Sequence, residues 1–276
     1  MVFNRNRRRS LATLLAILAS IVFICSSQFS VAHAQATDTL TIAASPVPHA
    51  EILEFVKPIL AKQGVNLKIK VFTDYIQPGV QVNEMHLDGN FYLHQPFLNE
   101  FKKSHKNDLQ VVIAKVHVEP FAAYSTKYKK LSDLPSGATI AIPNDPSNSG
   151  RSLLLLAKQG LLKLKDPNNI SATKRDIIEN PKNFKFKELE AATLPRILGQ
   201  VDLALINTNY AIEAKLNPVK DSLFIEDANS PYANLLVARD DNKDRPAFKK
   251  LAAVLNSAEV KKFIQERYKG AVVPAF

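Results

Sequence analysis

The sequence predicts an α/β protein of two lobes, and three observations carry that prediction. Strand patterning alternates with helical periodicity through most of the chain, as in mostly parallel sheets covered on both faces by helices. That patterning breaks off twice, at "HVEPFAAYSTKYKKLSDLPSG" (117–137) and at "DANSPYANLL" (227–236), with α/β material before, between and after. The 276 residues, 46% hydrophobic and 22% charged, suffice for one large domain or two small ones with a good core. A chain that crosses to a second lobe and returns leaves a cleft, where strand ends and helix N-termini converge on a ligand.

The elements follow in order. "NRNRRRS" is a basic n-region, "LATLLAILASIVFIC" (11–25) is a 15-residue apolar run, and "AHA" (32–34) supplies small residues for a signal peptidase. "SSQ" interrupts the run short of the roughly 20 apolar residues that a membrane span needs, so a cleaved leader is expected. "RRSL" adds a weak twin-arginine signal. The single cysteine, Cys25, follows Val22, Phe23 and Ile24, a poor lipoprotein box, so cleavage after Ala34 is favoured over lipid attachment at Cys25. The mature chain then holds no thiol, which removes disulfides, a cysteine nucleophile and cysteine–metal sites.

"TLTIAAS" reads as a buried strand. "PHAEILEFVKPILAKQG" has Ile52, Leu53, Val56, Ile59 and Leu60 at helical spacing and ends at Gly64. "NLKIKVF" alternates as a strand, a polar helix covers about 78–87, and "GNFYLH" follows before a helix near Pro96. "DLQVVIAKV" is the last strand before the first break. The second set runs through "ATIAIP", a Leu-rich helix to Gly160, "FKFKELE", a short helix near Pro195, "VDLALIN" and a helix over "TNYAIEAKL". "NLLVARD" and two tail helices close the chain, the last with Asn256 and Glu259 as an N-cap pair and Gly270 as its stop. The expected partition is a leader over 1–34, a first lobe over 35–120, a second over 121–230 and a return to the first over 231–276.

Charge narrows the function. Arg5, Arg7, Arg8 and Arg9 supply four of the ten net positive charges, and the remaining lysines are mixed with acids, as in "FKKSHKND". Nucleic-acid binding wants a denser stripe with aromatic partners, so no nucleic-acid partner is expected. "HVEP" and "HLDG" pair histidines with acids, yet no HExxH spacing or histidine cluster announces a metal, and eight glycines leave little material for a phosphate loop. Neither a metal nor a cofactor is expected, and no catalytic motif stands out.

The stretch "AIPNDPSNSGRSLLLL" (141–156) places Arg151 where a helix begins, a position the macrodipole disfavours for a cation. Two readings stand: a solvated surface arginine on an ordinary capped helix, or an arginine that shares a common anion with the helix N-terminus.

"FTDYIQP", "DGNFYLHQPFL", "AIPNDPSNSGRSLLLLAKQGLLKLKD", "NPKNFKFKELEAATLPR", "ALINTNYA" and "SPYANLLVARDDNKD" resemble, in order and spacing over nearly all of residues 39–276, the MetQ/NlpA family of methionine-binding proteins. The resemblance implies a two-lobed type II periplasmic binding protein fold with its ligand cleft between the lobes. It also implies a monomeric, periplasmic, non-enzymatic protein that hands methionine to an inner-membrane ABC permease and its ATPase. The family's arginine at this motif takes the ligand carboxylate, which assigns that role to Arg151 through a bidentate fork. Asn148 assists or is only a cap. Asn207 and Asn234 accept from the ammonium, Asn209 caps the following helix, and Tyr75, Tyr92 and His94 wall the thioether. Leu93 stands where the family commonly has Gln, and Gly79 where Asn is usual, which leaves side-chain selectivity open to a methionine dipeptide, D-methionine or another apolar amino acid.

Overall fold

The computed structural model describes residues 38–105, 109–227 and 229–276; the leader, Cys25 and the cleavage site lie outside them. β1 (Asp38–Ala44) buries Leu40, Ile42 and Ala44, and α1 (Glu51–Lys62) returns over it with Ile52, Leu53, Val56 and Leu60 buried, as the periodicity predicts. Gly64 makes the turn with φ 77°, a conformation that L side chains rarely adopt, and admits β2 (Val65–Val71). α2 (Gln77–Asn83) stops short of the expected end at 87, because Met85 adopts a left-handed φ of 63°. β3 (Gly89–His94), α3 (Gln95–Ser104) and β4 (Gln110–Val118) complete the first run.

Residues 119–121 lead into the second sheet. It contains β5 (Ala122–Tyr124), β6 (Thr139–Pro143), β9 (Lys185–Leu189), β10 (Leu203–Ile206) and β11 (Phe224–Ile225). α4 (Pro146–Lys158) follows β6, a two-stranded ribbon of β7 (Lys163–Leu164) and β8 (Ile177–Glu179) follows α4, and α5 (Thr208–Glu213) follows β10. Residues 226–232 lead back to β12 (Ala233–Arg239), α6 (Pro246–Leu255), α7 (Ala258–Tyr268) and β13 (Val273–Pro274). The first sheet has the order β13-β4-β12-β3-β1-β2 and the second β11-β5-β10-β6-β9.

The sheets are more mixed than expected. β1 pairs in parallel with β2 and β3, and β6 with β9 and β10, but β12 runs antiparallel to both β3 and β4, and β5 antiparallel to β10 and β11. β5 and β12 are the first strands after the two crossings, and β13 at the C-terminal end also runs antiparallel to β4. β5 was hidden from the sequence by three-residue length inside a turn-rich stretch. The last helix begins at Ser257, whose side chain accepts from Val260 N at 3.3 Å, so the expected Asn256–Glu259 pair is not its cap.

Alternation along the second sheet buries both faces. Ile140, Ile142, Leu203 and Leu205 pack with Leu153 and Leu156 of α4, while Ala141, Ala204 and Ile206 pack with Leu194, Leu198 and Tyr210 on the other side. The first sheet centres its main core on Ile42, Phe91, Leu236, Phe248 and Leu251. Among the described residues no helix is long and apolar enough to cross a membrane.

Candidate functional site

Between the sheets lies a small cavity of about 20 Å3. Tyr75 reaches it from the turn after β2, Tyr92, Leu93 and His94 from the end of β3, and Phe97 from the first turn of α3. Asn148 and Arg151 come from α4, Asn207, Thr208 and Asn209 from the start of α5, Asn234 from β12, and Glu119 from the outgoing segment. Arg151, Asn207, Asn234, Tyr75, Tyr92, His94 and Asn148, singled out from the sequence, thus share one cavity.

The start of α4 is built from its turn formers. Asp145 is the cap: its carboxylate accepts from Asn148 N at 2.9 Å, with Pro146 supplying the first helical residue. Asn148 is therefore not the cap. Its Nδ2 donates to both Asp145 oxygens at 2.9 and 3.0 Å, while its Oδ1 accepts from Asn207 Nδ2 at 3.1 Å and lies 3.2 Å from His94 Nε2. Gly150 allows the turn to press against residues 170–172, since a Cβ there would stand 2.5 Å from the Ile170 carbonyl.

Arg151 falls in the second turn and is 3% exposed, so the surface-arginine reading fails. The anion that relieves its charge is supplied by the protein: Nε donates to Glu226 Oε1 at 3.1 Å and Nη2 donates to Glu226 Oε2. Nη2 also donates to the Glu119 carbonyl at 3.0 Å, and the guanidinium carbon lies over the rings of Tyr232, at 4.0 Å, and Phe121, at 5.0 Å. The bidentate edge expected to hold a ligand carboxylate is thus occupied. Nη1 takes part in none of these bonds.

The other polar atoms sort by what they already hold. Asn207 Oδ1 is buried with no partner among the described residues, an acceptor awaiting a donor. Asn234 Oδ1 lies 2.9 Å from His49 Nε2, which engages one of the two lone pairs of that oxygen. Asn209 does not cap α5; its Oδ1 accepts from Tyr75 Oη at 2.6 Å and its Nδ2 is buried and unpartnered.

Glu119, 6% exposed, places Oε1 at 2.9 Å from His117 Nε2 and 3.2 Å from His49 Nε2. Burial holds His49 down at about 4 and His117 at about 3, so both rings are neutral, while burial raises the Glu119 carboxyl against the pull of His49 and Arg151. These three are the group among the described residues whose ligand atoms lie close enough for a metal. Ligation through both Nε2 atoms would leave both Nδ1–H groups buried without an acceptor, since neither Nδ1 has a partner. Donation from Nε2–H to the carboxylate leaves bare lone pairs instead, which is the less costly arrangement.

The remaining wall is aromatic. Tyr75 packs edge-on against Phe97 at 5.7 Å and Tyr92 Oη donates to the Tyr75 carbonyl at 3.0 Å. His94 caps α3 by accepting from Phe97 N at 3.2 Å and stands edge-on to Tyr232 at 5.0 Å; burial and then Arg151 lower it to about 3, so it meets the cavity as a neutral ring. Leu93 adds an apolar branch to the same lining. A Cβ at Gly79 would stand 2.7 Å from the Phe101 ring, so a larger residue there requires Phe101 to move.

Sequence reasoning missed Glu119, Glu226, Tyr232 and His49. Glu119 stood in "HVEP", where pairing with a histidine was weighed only as a metal signal. Glu226 carried no local signal, because its partner is 75 residues away.

The model of a family described as NlpA lipoprotein matches residues 40–276. A Salmonella typhi protein named D-methionine-binding lipoprotein MetQ is 44% identical over 214 residues, covering 77% of this chain and 79% of that protein. A nutrient binding protein from Burkholderia cenocepacia, solved bound to methionine, superposes with a TM-score of 0.83 at 43% identity over 86% of this chain and 100% of that one. A periplasmic substrate-binding protein of an ABC transporter from Coxiella burnetii gives 0.81 at 40% identity over 86% and 100%.

Proposed function

The chain belongs to the NlpA lipoprotein family, and from that premise we propose that it is the substrate-binding protein of an ABC importer and holds free methionine between its sheets. The observation that carries this reading is the presence, around one cavity, of a buried acceptor without a partner among the described residues, Asn207 Oδ1, and of the Arg151 guanidinium, whose Nη1 stands outside the bonds to Glu226 and Glu119. A zwitterion satisfies both. The ligand carboxylate meets Arg151 Nη1 and Asn234 Nδ2. The ammonium meets Asn207 Oδ1 and the Glu119 carboxylate, with Asn148 holding the Asn207 amide in orientation through its 3.1 Å bond. The thioether lies against Tyr75, Tyr92, Phe97 and His94, where sulfur at a ring edge gains about 0.3–1.5 kcal/mol.

The protein binds and releases its ligand unchanged, as a monomer that docks on the inner-membrane permease and its ATPase. We treat each sheet with its helices as one lobe, over 35–120 with 231–276 and over 121–230. Export to the periplasm is by the leader, with cleavage after Ala34 and no lipid on Cys25. Mass spectrometry of ligand released from freshly purified protein tests the binding reading. It should find intact methionine in stoichiometric amount; a peptide or another amino acid in its place would refute it.

A further inference from the structure

Arg151 is gripped from both segments that join the sheets. The outgoing segment supplies the Glu119 carbonyl, 3.0 Å from Nη2, and the Phe121 ring, 5.0 Å from the guanidinium carbon. The returning segment supplies the Glu226 carboxylate and the Tyr232 ring, 4.0 Å from that carbon. A fork bonded along one edge and pressed by a ring has its plane fixed, and Nη1 stands outside those bonds. Glu226 is itself anchored, its Oε2 accepting from Phe121 N at 3.3 Å, so the outgoing and returning segments are also tied to each other through it.

We propose that Glu226 is the positioning residue of the ligand-carboxylate site. Its two-point bond to Nε and Nη2 holds the guanidinium so that Nη1 is presented to the cavity. Its position on the returning segment makes that presentation depend on how the two sheets are joined. The inference rests on reading Arg151 as the carboxylate anchor. Its chemistry is specific: two carboxylates share one guanidinium on different edges, and the protein's own carboxylate takes the edge that a free amino acid would otherwise claim. The ligand is then held end-on by one nitrogen, and the precision of that contact comes from Glu226 rather than from the ligand.

The test compares methionine with methioninamide, which keeps the ammonium and thioether and replaces the carboxylate by a neutral amide. Glu226→Gln keeps the volume but sets an N–H against a guanidinium N–H, and Glu226→Asp keeps the charge but is too short for both contacts. Each variant should weaken methionine by roughly tenfold or more and leave methioninamide within about twofold of its wild-type affinity, the loss expected of a misaligned charge-assisted bond. In an Arg151→Ala background, Glu226→Gln should add no further loss. Melting of the ligand-free variants shows that they fold, and Glu226→Asp carries the test should the Gln variant not. Equal weakening of both ligands, or methionine affinity unchanged or tightened, overturns the proposal. A wild-type protein that takes up no methionine breaks the functional reading itself, which the Glu226 variants do not address.

Discussion

Tyr75 Oη donates to Asn209 Oδ1 at 2.6 Å across the cleft, joining the turn after β2 of one sheet to the start of α5 beside the other. Tyr210 Oη repeats the link by donating to the Thr73 carbonyl at 3.0 Å, and His94 meets Asn148 at 3.2 Å. These bonds describe a closed cleft, with side chains of the two sheets meeting around the cavity.

Tyr75→Phe removes the shorter latch and keeps the ring. Methionine should bind about 3- to 10-fold more weakly, as for one hydrogen bond lost from a closed state, and the rise should lie in the dissociation rate. Stopped-flow measurement of both rates checks this; a slower association with unchanged dissociation would argue against a latch.

Arg151→Lys should weaken methionine almost as much as Arg151→Ala, by about 30- to 1,000-fold, or about 2–4 kcal/mol. An ammonium keeps the charge but cannot bond Glu226 at two points, reach the Glu119 carbonyl and offer a planar face to the Tyr232 and Phe121 rings at once. Calorimetry on both variants is the check, and a Lys variant within threefold of wild type contradicts it.

Acid should destabilise the fold steeply. His49, His94 and His117 sit at about 4, 3 and 3 in the folded protein against 6.5 in the unfolded chain. Their contribution is complete above pH 6.5 and is lost as pH falls toward 4, because the unfolded state takes up protons first. With three groups the slope approaches about 4 kcal/mol per pH unit. The raised Glu119 carboxyl works in the opposite sense and offsets at most one of the three. Denaturant titrations between pH 7 and pH 4 measure this, and a flat profile would count against neutral buried histidines.

The leader should be cut after Ala34 and leave Gln35 first in the exported protein. Intact mass decides it, and a diacylglyceryl group on Cys25 would show lipid attachment instead.

Much of this was legible because periodicity reports burial. Ile52, Leu53, Val56 and Leu60 announced α1, and "ATIAIP" announced the strand that opens the second set. The cavity residues were legible through the resemblance of the motifs around Arg151, Asn207 and Asn234 to the MetQ/NlpA family. What escaped was pairing across distance. Nothing near Glu226 in the chain says that its carboxylate takes the arginine fork, and nothing in "HVEP" says that Glu119 faces a cavity with two neutral histidines behind it. Short strands such as β5 and β11 escaped as well, since two or three residues carry no period.

The most direct measurement is a calorimetric titration of the mature protein with L-methionine, D-methionine, norleucine, alanine and glutamate. Methionine should bind one to one and be recovered unchanged. Norleucine should fall between methionine and alanine, because each buried methylene is worth about 0.8 kcal/mol and the sulfur contact is missing. Glutamate should fail, since the aromatic wall offers its side chain no cation. Binding of glutamate or alanine as tight as that of methionine, or no heat with methionine at all, would contradict a cavity built for a zwitterion with an apolar thioether tail.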